Sequence, residues 1–229
     1  MPVDPNNKHV NALIENVKEV GRLHQFRSPS NNTEPAATHD REILYKSSIV
    51  LLVACWEAFV EDLVSEALGH LIASSADYRT VPKNVLERIT STHTGMKMWE
   101  LAGEGWRSVL KDNLKSVLAK TVGVMNTPRT AQVDELFYKT IGLEKLSSNW
   151  TWDGFTVEKA TTALDDLITL RGGIAHRVQS AKKVELADVR EARKLVYCLA
   201  VRTHNTATVH LKTQLGSAPW KRIKFGKIA

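Results

Sequence analysis

One stretch restricts the fold more than any other: residues 40–68 contain neither glycine nor proline, and the apolar block Ile49 to Trp56 lies at their centre. Eight consecutive apolar residues are compatible with a buried strand, but apolar residues continue at three- and four-residue spacing on both sides, from Ile43 to Leu71. The stretch therefore predicts one long helix, capped by Asp40 and surrounded in its middle turns. Such a helix forms the axis of a bundle. The block itself is too short to span a bilayer.

The rest of the chain has the composition of a mostly helical protein. Its 12 glycines and 7 prolines are scarce and separate the periodic segments. Apolar periodicity predicts further helices over residues 8–26, 105–120 and 186–215, and short helices after Pro82 and Pro128. We therefore expect an N-terminal docking helix and mobile connector over residues 1–39, a helical domain over residues 40–215 and a basic tail over residues 216–229.

Charge and cysteine usage restrict the partners and the compartment. The net charge is +6, and the basic excess gathers toward the C-terminal third, which favours an anionic partner such as nucleic acid. A functional basic surface and an ordinary solvated one both remain open. Cys55 and Cys198 lie inside apolar helical patterns with no secretory segment before them, so we expect inert core thiols in a reducing cytoplasm.

Arg171 is the most unusual residue of a helix predicted to start after Thr156. It falls on the apolar stripe that includes Leu164 and Ile168, where a guanidinium is costly unless it is paired or used. Five residues later comes His176, a side chain that can act as acid and base near neutral pH. The pair is a candidate for chemistry.

The two residues would not meet on a straight helix, because five residues turn it by about 500° and leave the side chains about 140° apart. Gly172 and Gly173 lie between them and weaken the helix by about 1 kcal/mol each relative to alanine, so we expect a bend or loosened turn there. In the alternative reading, Arg171 pairs with an acidic neighbour, the glycines permit close helix packing, and His176 caps the helix.

Other candidate groups are weaker. Glu57 directly follows the apolar block and is either a counter-charge for Arg171 or a carboxylate at the rim of the bundle. Cys198, His204 and His210 are six residues apart, a step of about 240° on a helix, so they do not face one metal ion. The aromatics before the motif helix can stack on bases or pack into the core; they are Trp150, Trp152 and Phe155.

Two stretches resemble the HEPN superfamily. The run Arg171 to Arg177 resembles its signature of an arginine, four to six residues and a histidine at a helix end, although Gly172 stands where the family usually has a polar residue. Ser48 to Leu63 resembles the long helix of the RiboL-PSP and MAE-like branch. The resemblance covers about residues 40–212. It implies an all-α, HEPN-like bundle with long central helices, which is typically a dimer.

The resemblance also implies a function. Many HEPN domains are metal-independent endoribonucleases that act as toxins or phage-defence effectors, whereas others have lost catalysis and bind nucleic acid, nucleotide or protein. In the first reading, two chains form a composite site without cofactor, His176 is the acid-base group, Arg171 holds the phosphate and Glu57 orients one of them. The expected partners are RNA, a second copy and an antitoxin or other regulatory protein, with no membrane. RNA is expected to contact Arg177, Lys182 and Lys183. A helical scaffold with a structural motif is the third reading.

Overall fold

The computed structural model describes residues 6–23, 35–91, 93–121, 128–177 and 183–225. Within these ranges the chain forms α-helices joined by loops and short 3-10 helices, and it forms no β-strand. The predicted all-α class is thus confirmed. The α-helices are α1 (Lys8–Arg22), α2 (Pro35–Ser74), α3 (Lys83–Thr90), α4 (Gly105–Thr121), α5 (Thr130–Ile141), α6 (Val157–Arg177) and α7 (Leu186–Leu215).

The long apolar stretch forms α2, a helix of 40 residues, as its periodicity predicts. Its start was predicted wrongly, because the helix begins at Pro35 and not after Asp40. Proline suits a first helical position, since its ring fixes φ and its missing N–H has no partner there in any case. By length and composition alone, His39–Ser74 is apolar enough to cross a membrane. Trp56, however, is fully buried within the fold, as the core helix of a bundle requires.

Two compact units share the chain. The first contains residues 1–59, 150–202 and 224–229, and the second contains residues 60–149 and 203–223. The predicted division consists of three continuous segments, residues 1–39, 40–215 and 216–229, whereas each compact unit combines segments that are distant in the sequence. The predicted division stays a prediction.

An aromatic cluster forms part of the core of the first unit. Trp56 stacks on Phe59 with 5.8 Å between ring centroids, and it meets Trp150 edge-on at 6.0 Å. His9 of α1 is buried and lies 5.7 Å from the Phe59 ring, so the N-terminal helix docks on this cluster. Trp150 is thus a core residue, the second of the two roles that the sequence leaves open.

The second unit holds part of the predicted tail in place. Trp220 is only 5% exposed, and its indole N–H donates to a carboxylate oxygen of Glu66 over 2.8 Å. Asn205 binds both backbone groups of Ile223, accepting from its N–H at 2.7 Å and donating to its carbonyl at 2.8 Å. These contacts anchor this part of the tail within the second unit.

Candidate functional site

Helix α6 carries the arginine and the histidine, and its start is determined locally. The Thr156 hydroxyl accepts a hydrogen bond from the Lys159 backbone N–H at 3.3 Å, which confirms Thr156 as the N-cap. Inward positions at three- and four-residue spacing are buried, including Ala160, Leu164 and Ile168. Burial of this stripe holds the helix against the rest of the first unit.

The expected bend at Gly172 and Gly173 is wrong. The α-helix continues without interruption through both glycines to Arg177. Ile168 and Ile174 are buried before and after the pair, and their burial offsets the low helix propensity of two glycines. The predicted bend rests on the low helix propensity of glycine alone, whereas packing on both sides of the pair keeps the backbone helical.

Arg171 lies half-buried on the inward stripe, as its spacing indicates. Its Nε is buried without a hydrogen-bond partner, as are the Nε atoms of Arg107 and Arg202, and no ion pair or hydrogen bond joins the Arg171 guanidinium to any described residue. The alternative in which Arg171 pairs with an acidic neighbour therefore finds no such neighbour within the described ranges. An unsatisfied buried donor costs about 1–3 kcal/mol, so the arginine is retained at the expense of stability.

His176 is exposed on another side of the same helix. Since α6 is regular, the side chains of Arg171 and His176 point about 140° apart and do not act on one atom from a single chain. Gly172 precedes His176 by four residues and shares its face. Among the described residues, a Cβ added at Gly172 would meet no atom within 4 Å outside the backbone of its own helix, so no close packing against another described segment requires this glycine.

Glu57 is partly exposed on α2. Within the described part of the chain, no hydrogen bond or ion pair joins its carboxylate to Arg171 or His176. Its predicted role in orienting either residue stays a prediction. The neighbouring surface of α2 is an exposed, mainly apolar stripe at helical spacing that the sequence reasoning missed; its apolar members are Ile43, Leu51, Ala54 and Ala58.

Of the three residues predicted to contact RNA, the structure describes the side chain of one. Lys182 and the side chain of Arg177 lie outside the described residues. Lys183 is exposed and lines a cleft of about 250 Å³ together with Arg41, Tyr45 and two glutamates. One of these, Glu42, has a lowered pKa, mainly because Lys46 donates a hydrogen bond to it, with a smaller contribution from the charge of Lys183. Basic and acidic groups are thus mixed around Lys183.

The histidines of α7 act as structural groups. His204 is buried, and its Nε2 lies 3.0 Å from the carbonyl oxygen of Lys221. The Nε2 of His210 lies 2.9 Å from the carbonyl oxygen of Ile141. Each ring therefore ties α7 to another segment of the second unit.

The described residues define an all-α protein in which one helix carries an unpaired, half-buried arginine and, five residues later, an exposed histidine. Comparison with protein families identifies the family. The chain belongs to the HEPN superfamily, because the RiboL-PSP-HEPN family model matches residues 11–204, a range that includes Glu57, Arg171 and His176. HEPN domains are generally associated with nucleases, commonly bind RNA and commonly dimerise. No curated protein and no solved structure matches the chain.

Proposed function

We propose that this protein is a metal-independent endoribonuclease that cleaves RNA through the 2′-hydroxyl at a composite site formed by two copies. The observation that carries the proposal is the buried, unpartnered Nε of the half-buried Arg171, in a HEPN chain that also places a histidine five residues later. A guanidinium kept unpaired at a cost in stability is available for an anionic substrate.

The chemistry explains why two copies are needed. Transesterification requires a base for the 2′-hydroxyl, an acid for the leaving 5′-oxygen and positive charge for the phosphorane. One chain supplies His176 once, on a face about 140° from Arg171. Two motifs related by a two-fold axis supply two histidines, one as base and one as acid, and two guanidiniums for the phosphate oxygens.

The exposed stripe of α2 supports dimerisation. Ile43 and Leu51 are 46% and 44% exposed, and Ala54 and Ala58 continue the stripe toward Glu57. Burial of apolar surface contributes about 25 cal/mol per Å², so pairing of this stripe with its copy stabilises a dimer. In this arrangement Glu57 is near the two-fold axis and orients Arg171 or His176 of either copy.

The cellular role follows from the family resemblance. The enzyme acts in the cytoplasm in a toxin–antitoxin or phage-defence system, and an antitoxin or other regulatory protein restrains it. Arg177, Lys182 and Lys183 follow the motif in the chain and hold the RNA strand through its phosphates. No cofactor takes part in the reaction.

The first experiment incubates purified protein with RNA in excess EDTA and maps the ends. We expect 2′,3′-cyclic phosphate and 5′-hydroxyl ends. His176→Ala removes the acid-base group and should lower the rate by about 10²–10⁴-fold, and Arg171→Ala should lower it comparably. Arg190→Ala is the matched control, because this exposed arginine of α7 lies outside the motif. Equal cleavage by the His176 variant excludes the enzyme reading.

A mixing experiment tests the composite site. Wild-type chains are combined with increasing shares of tagged His176→Ala chains, and the subunits are allowed to exchange. If each site needs both histidines, activity falls as the square of the wild-type fraction, because only wild-type dimers are active. A linear fall contradicts the composite site while leaving the nuclease reading intact.

A catalytically silent HEPN module is the second candidate, and Gly172 favours it because the family usually has a polar residue there. RNA binding without cleavage, weakened by salt, is then expected. Gly172→Asn supplies the polar side chain at a position where an added Cβ contacts no described residue outside its own helix backbone. Cleavage by this variant but not by the wild type identifies the silent module, whereas cleavage by both supports the enzyme.

A further inference from the structure

A groove in the first unit is lined by residues of α6 and α7, and neither Arg171 nor His176 is among them. Its volume is about 540 Å³, within the range of about 300–1,000 Å³ typical of ligand sites. Helix α6 contributes Ala163, Leu167 and Leu170, and α7 contributes Ala192 and Leu195. Because these residues recur at three- and four-residue spacing, each helix lines the groove with one continuous face.

The wall of the groove is a stacked aromatic pair on a tight turn. The rings of Trp152 and Phe155 lie 4.8 Å apart and are inclined by only 18°. The two residues also exchange backbone hydrogen bonds of 3.2 and 2.8 Å, and Gly154 supplies the positive φ of +76° between them. Both rings are half-exposed, unlike the buried Trp150. The turn therefore holds an aromatic surface ready for a ligand before any ligand arrives.

The rim of the groove is acidic in a chain whose net charge is +6. Asp166, Asp188 and Glu191 line it, and Lys194 is the one cationic residue among its described lining residues. Asp188 already accepts a hydrogen bond from the Glu185 backbone N–H at 2.8 Å. The exposed carboxylates of Asp166 and Glu191 form no hydrogen bond or ion pair with other described residues. A phosphate backbone is repelled here, whereas a cation gains two free carboxylates and an aromatic face.

We propose that this groove binds a small organic cation with an apolar body, in the manner of an arylalkylammonium ion. The apolar body occupies the floor formed by Leu167, Ala192 and Leu195 and contacts the rings of Trp152 and Phe155. The ammonium group lies at the rim and pairs with Asp166 and Glu191. This binding activity is independent of RNA cleavage and uses none of the residues assigned to it.

The test measures binding of three probes of matched shape by isothermal titration calorimetry: 2-phenylethylammonium, 2-phenylethanol and phenylacetate. We expect saturable binding of the ammonium ion, about tenfold weaker binding of the alcohol and none of the carboxylate. Added salt should weaken the binding of the ammonium ion, because the rim carboxylates remain exposed to solvent.

Variants locate the site. Asp166→Asn with Glu191→Gln should weaken ammonium binding about tenfold while leaving binding of the alcohol unchanged. The control, Glu144→Gln with Glu158→Gln, removes the same charge at exposed positions outside the groove and should bind as the wild type does. Ala163→Phe fills the groove at a half-exposed position and should abolish binding of both probes.

Three outcomes overturn the proposal. The first is that the wild type does not bind 2-phenylethylammonium. The second is equal affinity for the ammonium ion and the alcohol. The third is an equal loss of affinity in the control and rim variants. Circular dichroism confirms that each variant is folded before its affinity is compared.

Discussion

Replacing Arg171 by methionine separates stability from function. Methionine keeps the long aliphatic stem that packs on the inward stripe of α6, and it removes the guanidinium whose Nε is buried without a partner. If the arginine is retained for an anionic substrate, the variant should be more stable than the wild type and inactive on RNA. A purely structural arginine predicts the opposite change in stability.

The magnitude follows from the lost desolvation penalty. An unsatisfied buried donor costs about 1–3 kcal/mol, and methionine at the same position leaves no donor to satisfy. We therefore expect the free energy of unfolding to rise by about 1–2 kcal/mol. For a chain of this length, Tm should increase by about 2–4 °C for each kcal/mol.

The assay is urea denaturation followed by circular dichroism, at one protein concentration because dimer formation contributes to the measured stability. Arg107→Met is the matched control. The Nε of Arg107 is also buried without a hydrogen-bond partner, but its other guanidinium nitrogens donate to the Ser75 carbonyl and pair with Glu104, and its guanidinium carbon lies 4.9 Å from the centre of the Trp106 ring. This variant should lose about 1–3 kcal/mol. A comparable loss for Arg171→Met would refute the reasoning.

Three further predictions concern the fold. Gly172→Ala should raise the free energy of unfolding in urea by about 0.5–1 kcal/mol, because the added Cβ contacts no described residue beyond the backbone of its own helix. Gly142→Ala should lower it by about 1–2 kcal/mol, because Gly142 has a φ of +72°. Burial raises the pKa of the Cys55 and Cys198 thiols. Iodoacetamide should therefore label both cysteines more slowly in the native protein than in the unfolded protein, and labelling of the native protein should begin at a higher pH. Equal labelling rates would contradict this prediction. Trp56→Ala should lower the free energy of unfolding, measured by thermal denaturation, by about 3–5 kcal/mol. A decrease below about 1 kcal/mol would contradict the assignment of Trp56 to the core.

Helix bounds and side-chain direction could be predicted from the sequence, whereas backbone conformation at the glycine pair could not. Periodicity predicts α7 over residues 186–215 and the inward position of Arg171, because side-chain direction on a helix depends only on the repeat of the helix. Helix propensity predicts a bend at Gly172 and Gly173, and this prediction is wrong. The helix remains regular there because Ile168 and Ile174 are buried on both sides, and burial is not visible in the glycines themselves.

The aromatic run before α6 shows the same limit. The sequence places Trp150, Trp152 and Phe155 together and leaves stacking on a ligand and packing in the core as alternatives. Tertiary structure divides them, since Trp150 packs edge-on against Trp56 while Trp152 and Phe155 form the half-exposed wall of a groove. The unpaired state of Arg171 and the open face beside Gly172 were likewise decided by the neighbours that surround them.

The sequence by itself determined the approximate bounds of the long helices, the family motif and the inward position of Arg171, because each follows from local chemistry and the helical repeat. Only the tertiary structure decided which of these side chains lacks a partner, which face is open and where a groove with an acidic rim forms. These properties depend on which side chains from distant parts of the chain pack around each residue. That packing cannot be predicted from residue spacing along the chain.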